Sequence, residues 1–517
     1  MHPRKISHTT PSKPAVILGQ SGETLNYLEL ERRANQAAHL FRAAGIQKGD
    51  RVAFALENCL DLFVFAWGAQ RSGIYYVAIS SRLKSDEIEY IIRDSGSKLL
   101  LGSDYIGEAT IASLSNAISQ DVILYKTGNK SLGWENWSET IAKQPETPIS
   151  DEGKGADMLY SSGTTGRPKG IFREIDHDIP ADAEDLSTHF VIKTFNVDST
   201  AVYLCPAPLY HAAPLRWSME VQKLGGTVIV MERFDPEYAL QLIETHEVTH
   251  AQFVPTHFVR MLKLDENARS KYNTNSLQMA LHAAAPCPIP IKKAMIDWWG
   301  PILVEYYSGS ENVGMTMITS EEWLSHEGSV GRAVRGELKI LDQSGEEVAI
   351  GREGEIFFAN GGTFQYHNDV EKTADATNAN GWTTLGDVGK VDSEGYLYLT
   401  DRKSFMIISG GVNMYPQEIE NLLITHEKVY DVAVIGAPDP DFGEKVVAVV
   451  HPADAAIDIE RLTEELIAFC RRSLSGVKVP RQFDFVESLP RAENGKLYKR
   501  QVRDRYWQDA APTPMPQ

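Results

Sequence analysis

The sequence predicts an α/β fold: a large N-terminal domain of mixed, mostly parallel sheets and helices, with a small β-barrel subdomain, followed by a small α+β C-terminal domain. Three observations lead there. Helical apolar stripes alternate with short apolar runs through the first part of the chain, the mark of βα units. From residue 336 the texture turns to short alternating runs with frequent glycines, which read as antiparallel hairpins or a small barrel. Beyond residue 404, helix and strand patterns follow one another in a compact stretch of their own.

In chain order, apolar residues at 27, 30, 34, 37, 38 and 41 make a helical stripe that Gly45 ends. "DRVAFAL" reads as a strand, "CLDLFVFAWGAQRSG" as a helix closed by glycine, and "YYVAI" and "KLLLGS" as two more strands. "DMLYSS", "AVYLCPAP", "GTVIVM" and "HAQFVPT" are expected to be later strands of the same parallel kind. "GELKILDQSGEEVAIGREGEIFFAN" supplies the hairpins or barrel. "PQEIENLLITH" and "LTEELIAFCRRSL" are helices, and "VYDVAVIGAP" and "KVVAVVHPA" are strands. The boundary falls between Asp401 and Ser404, giving domains 1–402 and 403–510, with a disordered tail over 511–517.

Composition narrows the function. The 517 residues are 43% hydrophobic and 23% charged, enough to bury a real core. A formal net charge of −19 argues against nucleic acid as a partner, because no basic excess is available to neutralise phosphates. An anionic substrate would need a local basic funnel. Cys59, Cys205, Cys287 and Cys470 are far apart with no CxxC pair, so buried thiols in a reducing compartment are expected. The start "MHPRKISHTTPSKPAVI" lacks an apolar signal core and no run approaches a membrane span, so a cytoplasmic location is expected.

"YSSGTTGRPKG", residues 160–170, concentrates hydroxyls, glycines and positive charge. Glycines let backbone approach an anion, and N–H groups, hydroxyls and cations donate to its oxygens. It is not a Walker loop: counting from Gly163, Pro168 stands where the second glycine belongs, and Gly170 replaces the hydroxyl after Lys169. Taken alone, a polar surface turn would also explain it. The loop follows a strand, where ligands bind in open α/β sheets.

Four further stretches change that balance. "YYSGSE" (306–311), "GWTTLGD" (381–387), "DRKSFMIISGG" (401–411) and "PRAENGKLYKR" (490–500) follow the loop in order. Together the five resemble the motifs of the adenylate-forming, or AMP-binding, enzymes, which include acyl-CoA synthetases, luciferases and peptide-synthetase adenylation domains. The resemblance runs from about Thr24 to Tyr506. It implies a C-terminal domain that moves, and ATP, Mg²⁺ and coenzyme A as cofactor and co-substrates.

The resemblance also implies roles. Ser161, Ser162, Gly163, Thr164, Thr165, Gly166 and Lys169 form the phosphate loop, Thr165 and Lys169 with catalytic parts. Glu311 is the metal ligand, and a hard Mg²⁺ needs only one or two carboxylates beside phosphates and waters. Glu305, Tyr306, Tyr307 and Ser310 line the nucleotide, with Tyr307 stacked on adenine and Ala284 and Ala285 in the opposite wall. Ser310 keeps the hydroxyl of the usual threonine, while Ser308 replaces the usual glycine and narrows the floor or redirects the loop. Asp387 and Arg402 clamp the ribose as acceptor and donor. Lys496, on the small domain, reaches the site during adenylation. His211, Gly314, Gly410, Gly411 and Lys478 belong to the acyl and coenzyme A side, and Ser404 marks the hinge in place of an aspartate or lysine.

The expected reaction joins a carboxylic acid to ATP as an acyl-adenylate, then passes the acyl group to coenzyme A with release of AMP. The small residues Ala212, Ala213 and Gly314 suggest room for a medium-chain, long-chain or bulky aliphatic acid, and Arg216 and His257 are the evident partners for a second charge. The alternative is a stand-alone adenylation enzyme that loads a carrier protein. A nucleotide-binding regulator on a decayed synthetase fold is disfavoured by the retained Lys169, Glu311, Asp387, Arg402 and Lys496. Nothing calls for oxygen chemistry. A homodimer is left open. "IFREIDHD" is unlike the small-residue, histidine-rich continuation usual in the family it resembles; Asp176, His177 and Asp178 there read as a solvated loop, with a metal site as the rival.

Overall fold

A computed structural model describes residues 2–118, 120–161, 168–184, 186–402, 405–409, 412–491 and 497–508. Among these, the strands form five sheets. The largest, of nine strands, has a parallel centre in which Val202–Cys205 lies between Thr227–Val230 and His250–Phe253. Met279–His282 and Leu303–Tyr307 continue it in parallel, and Met315–Thr319 turns back antiparallel. A second sheet of six strands is built on Arg51–Leu56, with Tyr75–Ser80 and Leu99–Gly102 parallel on either side.

Three helices fill the space between these sheets: Tyr27–Ala43, Leu60–Arg71 and Ala212–Leu224. The first is the predicted stripe, capped at its start by the Asn26 side chain, which accepts from the Glu29 N–H. The third ends at Gly225, whose φ of +88° suits a residue without Cβ. Other helices cover the outer faces, so both sheets are buried on both sides, as parallel strands require.

Two expectations need correction. "DMLYSS" does not run on as one parallel strand. Asp157 still pairs in parallel with Tyr76, but Leu159–Ser161 leaves that sheet to form an antiparallel pair with Lys169–Phe172. Alternation of apolar residues reports a strand and says nothing of its partner's direction. Secondly, the glycine-rich region is an open meander rather than a closed barrel. Glu337–Leu341, Gly354–Ala359, Thr383–Val391 and Leu397–Arg402 pair in that order, and among the described residues the two end strands do not pair with each other.

The C-terminal part is the expected α+β unit. Val429–Asp439 and Gly443–Pro452 pair antiparallel, and helices Pro416–Leu423 and Ile459–Ser473 pack on them around a core of their own. Cys205 and Cys470 are buried, Cys59 and Cys287 half-buried, and none forms a disulfide. No described helix is long and apolar enough to cross a membrane.

Candidate nucleotide-binding site

The carboxyl ends of two parallel strands carry Ala284, Ala285 and the stretch from Tyr307 to Glu311, as expected for an open α/β sheet, while Lys169 and Asp387 come from antiparallel strands. Met279–His282 runs into Ala283–Pro286, where Ala284 has a φ of +76°. A left-handed alanine costs of order 1–3 kcal/mol and persists only where its surroundings impose it. Ala284 and Ala285 are exposed there, as a cleft wall should be.

Leu303–Tyr307 leads into the loop that holds Glu311. The Ser308 hydroxyl donates to the Gly314 carbonyl at 2.7 Å, so the serine in place of glycine closes this loop across its neck. The Tyr307 hydroxyl donates to Asp387 Oδ2 at 2.7 Å, across 80 positions of sequence. Asp387 and Arg402 face one another as partners across an antiparallel strand pair. A carboxylate can take about four donors, so Asp387 retains capacity beyond Tyr307.

Lys169 and Glu311 come together through a residue that sequence reasoning missed. Tyr366 donates its hydroxyl to Glu311 Oε1 at 3.0 Å, and Lys169 Nζ lies 4.7 Å from the centre of its ring. Tyr366 gets there because Gln365–Tyr366 pairs with the strand that begins at Lys169. Only strand pairing reveals it; the surrounding "TFQYHND" carries no local signal. Burial, and then the Lys372 ammonium, lower the Lys169 pKa from its ordinary value, against the opposing fields of Asp369, Glu311 and Asp375.

Other expectations fare differently. Glu305 does not reach the cleft. Its carboxylate is buried, with Lys292 Nζ at 2.6 Å and His282 at 3.7 Å, because the strand's alternation turns residue 305 toward the helix Ile289–Trp299. Tyr306 is likewise held inside, its phenol accepting from Gln252 Nε2 at 2.5 Å, and burial pushes its pKa up to about 12. Gly314 gives no room to a substrate. A Cβ there would lie 2.1 Å from the Phe358 ring, which already fills the space.

Arg216 and His257 do not offer a second charge. Arg216 Nη2 is 2.7 Å from Asp157 Oδ2, and His257 is buried against Phe234 at 4.0 Å between ring centres. Burial, with Arg260 adding to it, lowers the His257 pKa to about 3, so it is neutral. Lys478 is paired with Glu418 at 2.5 Å. His211 occupies the cap position of the helix Ala212–Leu224, its ring 4.0 Å from that of Tyr210. In "IFREIDHD", Asp178 pairs with Lys48 and His177 Nδ1 meets the Lys154 carbonyl. No group of three metal-ligating side chains occurs among the described residues. Ser162, Gly163, Thr164, Thr165, Gly166, Ser404, Gly410, Gly411 and Lys496 lie outside the described residues, as do the Arg402 side chain and the tail.

Comparison with known proteins identifies the family. Residues 4–366 match the AMP-binding enzyme family and residues 418–496 match the AMP-binding enzyme C-terminal domain. The long-chain-fatty-acid–CoA ligase FadD13 of Mycobacterium tuberculosis is 31% identical, over 97% of this chain and 97% of that protein. A feruloyl-CoA synthase from an Amycolatopsis species is 32% identical over 98% of each. Among solved structures, the o-succinylbenzoate CoA synthetase of Bacillus subtilis, in complex with its acyl-adenylate intermediate, superposes with a TM-score of 0.78 at 25% identity. That match covers 99% of both chains. The chain therefore belongs to the AMP-binding enzyme family. In class it is an AMP-forming acid–thiol ligase.

Proposed function

We propose that the protein is an ATP-dependent acyl-CoA ligase for a monocarboxylic acid with an apolar body, an aliphatic chain or ring of medium or larger size. One substrate carboxylate oxygen attacks the α-phosphorus of ATP, the bond to pyrophosphate breaks, and an acyl-adenylate forms. The thiol of coenzyme A then attacks the acyl carbon and AMP leaves. The observation that carries this reading is the convergence of Lys169, Glu311 and Tyr366 beside the Tyr307–Asp387 pair, from segments far apart in the chain.

Lys169 offers a compact charge to phosphate oxygens, and the glycines and hydroxyls of residues 161–166 are assigned to the same anion. Glu311 fits Mg²⁺: it is a half-exposed carboxylate whose orientation the Tyr366 hydroxyl holds, a hard oxygen donor of the kind Mg²⁺ takes. Bound there, the ion would neutralise phosphate charge. Asp387 with Arg402 is assigned to the ribose, and Lys496 to the developing negative charge at the α-phosphate. We place the hinge at Ser404, dividing domains 1–402 and 403–510. Because Arg216 is already paired with Asp157 and His257 is neutral, neither meets a second substrate carboxylate, which favours the apolar acid, and the relatives named for fatty acids and ferulate support it.

Labelled ATP incubated with a panel of acids and coenzyme A tests this. The expected products are AMP, pyrophosphate and an acyl-CoA. ADP as the sole nucleotide product would overturn the mechanism. Acyl transfer to a carrier protein in preference to coenzyme A would overturn the choice of acceptor.

A further inference from the structure

A buried cluster of charges lies beside the residues assigned above. Asp157 is 9% exposed and stands just before the strand Leu159–Ser161; Arg173 stands just after the paired strand Lys169–Phe172. Arg173 Nη2 is 3.3 Å from Asp157 Oδ1, so this pair closes the base of the hairpin that carries Lys169. Arg216, from the helix Ala212–Leu224, meets the same carboxylate with Nη2 at 2.7 Å and Nε at 3.3 Å. Both terminal nitrogens of Arg216 also lie 3.4 Å from the carbonyl of Ser310, the residue before Glu311.

Two guanidinium groups on one buried carboxylate are a costly arrangement, and an apolar cluster of like volume often stabilises a fold better. Geometry is what the charges supply. A planar guanidinium can bridge a carboxylate and a carbonyl at fixed angles, which an ammonium cannot. Burial opposes ionisation of Asp157, yet Arg216 and then Arg173 outweigh it and hold its pKa down to about 2, so the clasp is charged throughout the physiological range.

We propose that Asp157, Arg173 and Arg216 are positioning residues that clamp the phosphate hairpin to the Ser310–Glu311 loop, and so set the spacing between Lys169 and Glu311. This rests on reading the site as one for ATP with Mg²⁺. Misplacing a reacting group by about 1 Å costs about 10²-fold in rate. Arg173 also accounts for part of the "IFREIDHD" stretch, which the family motifs leave unexplained.

Calorimetric titration of ATP at a series of Mg²⁺ concentrations tests it, together with ATP–pyrophosphate exchange and thermal melting. Arg216→Met is the first variant. Arg71→Met is the control, because it cuts a similarly buried pair, Arg71 with Glu31 at 2.7 Å, in another part of the fold. Arg216→Met should raise the Mg²⁺ midpoint for ATP binding about tenfold and slow exchange about 10²-fold. Arg71→Met should lower the melting temperature without moving the Mg²⁺ midpoint. A folded Arg216→Met with the wild-type midpoint and exchange rate overturns the proposal. If Arg216→Met does not fold, Arg216→Lys takes its place: it keeps the charge but cannot span both oxygens, and an unchanged midpoint in it is equally fatal. A wild-type protein that neither binds ATP nor makes AMP overturns the functional reading instead.

Discussion

Tyr366 holds an anion by its hydroxyl and a cation by its ring face, so one phenol sets the relation between Glu311 and Lys169. A hydrogen bond to a charged group contributes roughly 1.5–3 kcal/mol, and each 1.4 kcal/mol is about tenfold in an equilibrium. Tyr366→Phe keeps the ring under Lys169 and removes only the donor. It should raise the Mg²⁺ requirement of ATP–pyrophosphate exchange about tenfold and leave the fold intact. A magnesium titration that superposes on the wild type would show that the hydroxyl does not orient Glu311.

The decisive element is the loop from Ser308 to Gly314. It is closed by the Ser308 hydroxyl, and its far end is pressed against Phe358, whose ring in turn stacks 6.2 Å from that of Tyr307 at 26°. Glycine is required at 314 because the aromatic ring occupies the Cβ position. Gly314→Ala should therefore force Phe358 aside, at a cost of about 1–3 kcal/mol for overpacking. The displacement should reach Tyr307, so urea denaturation and ATP affinity should both suffer. An alanine variant as stable as the wild type, with unaltered ATP binding, would show that the ring yields freely. Increased turnover of larger acids in that variant would contradict the steric account as well.

At the scale of the whole molecule, the two parts touch where Lys263 Nζ donates to the carbonyl of Val429 at 2.6 Å, and where the Gln417 N–H meets Asp401 at 3.0 Å. If the small domain presents one face for adenylation and another for thioester formation, Lys496 serves the first and the loop at Gly410 and Gly411 the second. Losing one preorganised donor from a developing anion costs about 10² to 10³ in rate. Lys496→Ala should slow acyl-adenylate formation by that factor. Given synthetic acyl-adenylate, it should still make acyl-CoA at close to the normal rate. Equal slowing of both half-reactions, measured separately, would make the lysine structural.

The sequence by itself determined the order of elements and the identity of the motif residues. Helical periodicity with glycine stops marks the helix Tyr27–Ala43, and alternating runs mark most strands, because periodicity and turn chemistry are local properties. Through the family resemblance it also assigned Lys169, Glu311, Tyr307 and Asp387 to one site. Only the tertiary structure decided which side chains are taken. Glu305 stands just before the motif "YYSGSE" yet is consumed by Lys292, and Arg216 reads as a partner for a second charge yet is consumed by Asp157. Gly314 reads as empty space in the sequence and is filled by Phe358, while Tyr366 reads as nothing and joins Lys169 to Glu311. The physical reason is the same in each case. A residue's period along the chain reports which face it shows, whereas its partner is chosen by packing between segments tens of residues apart.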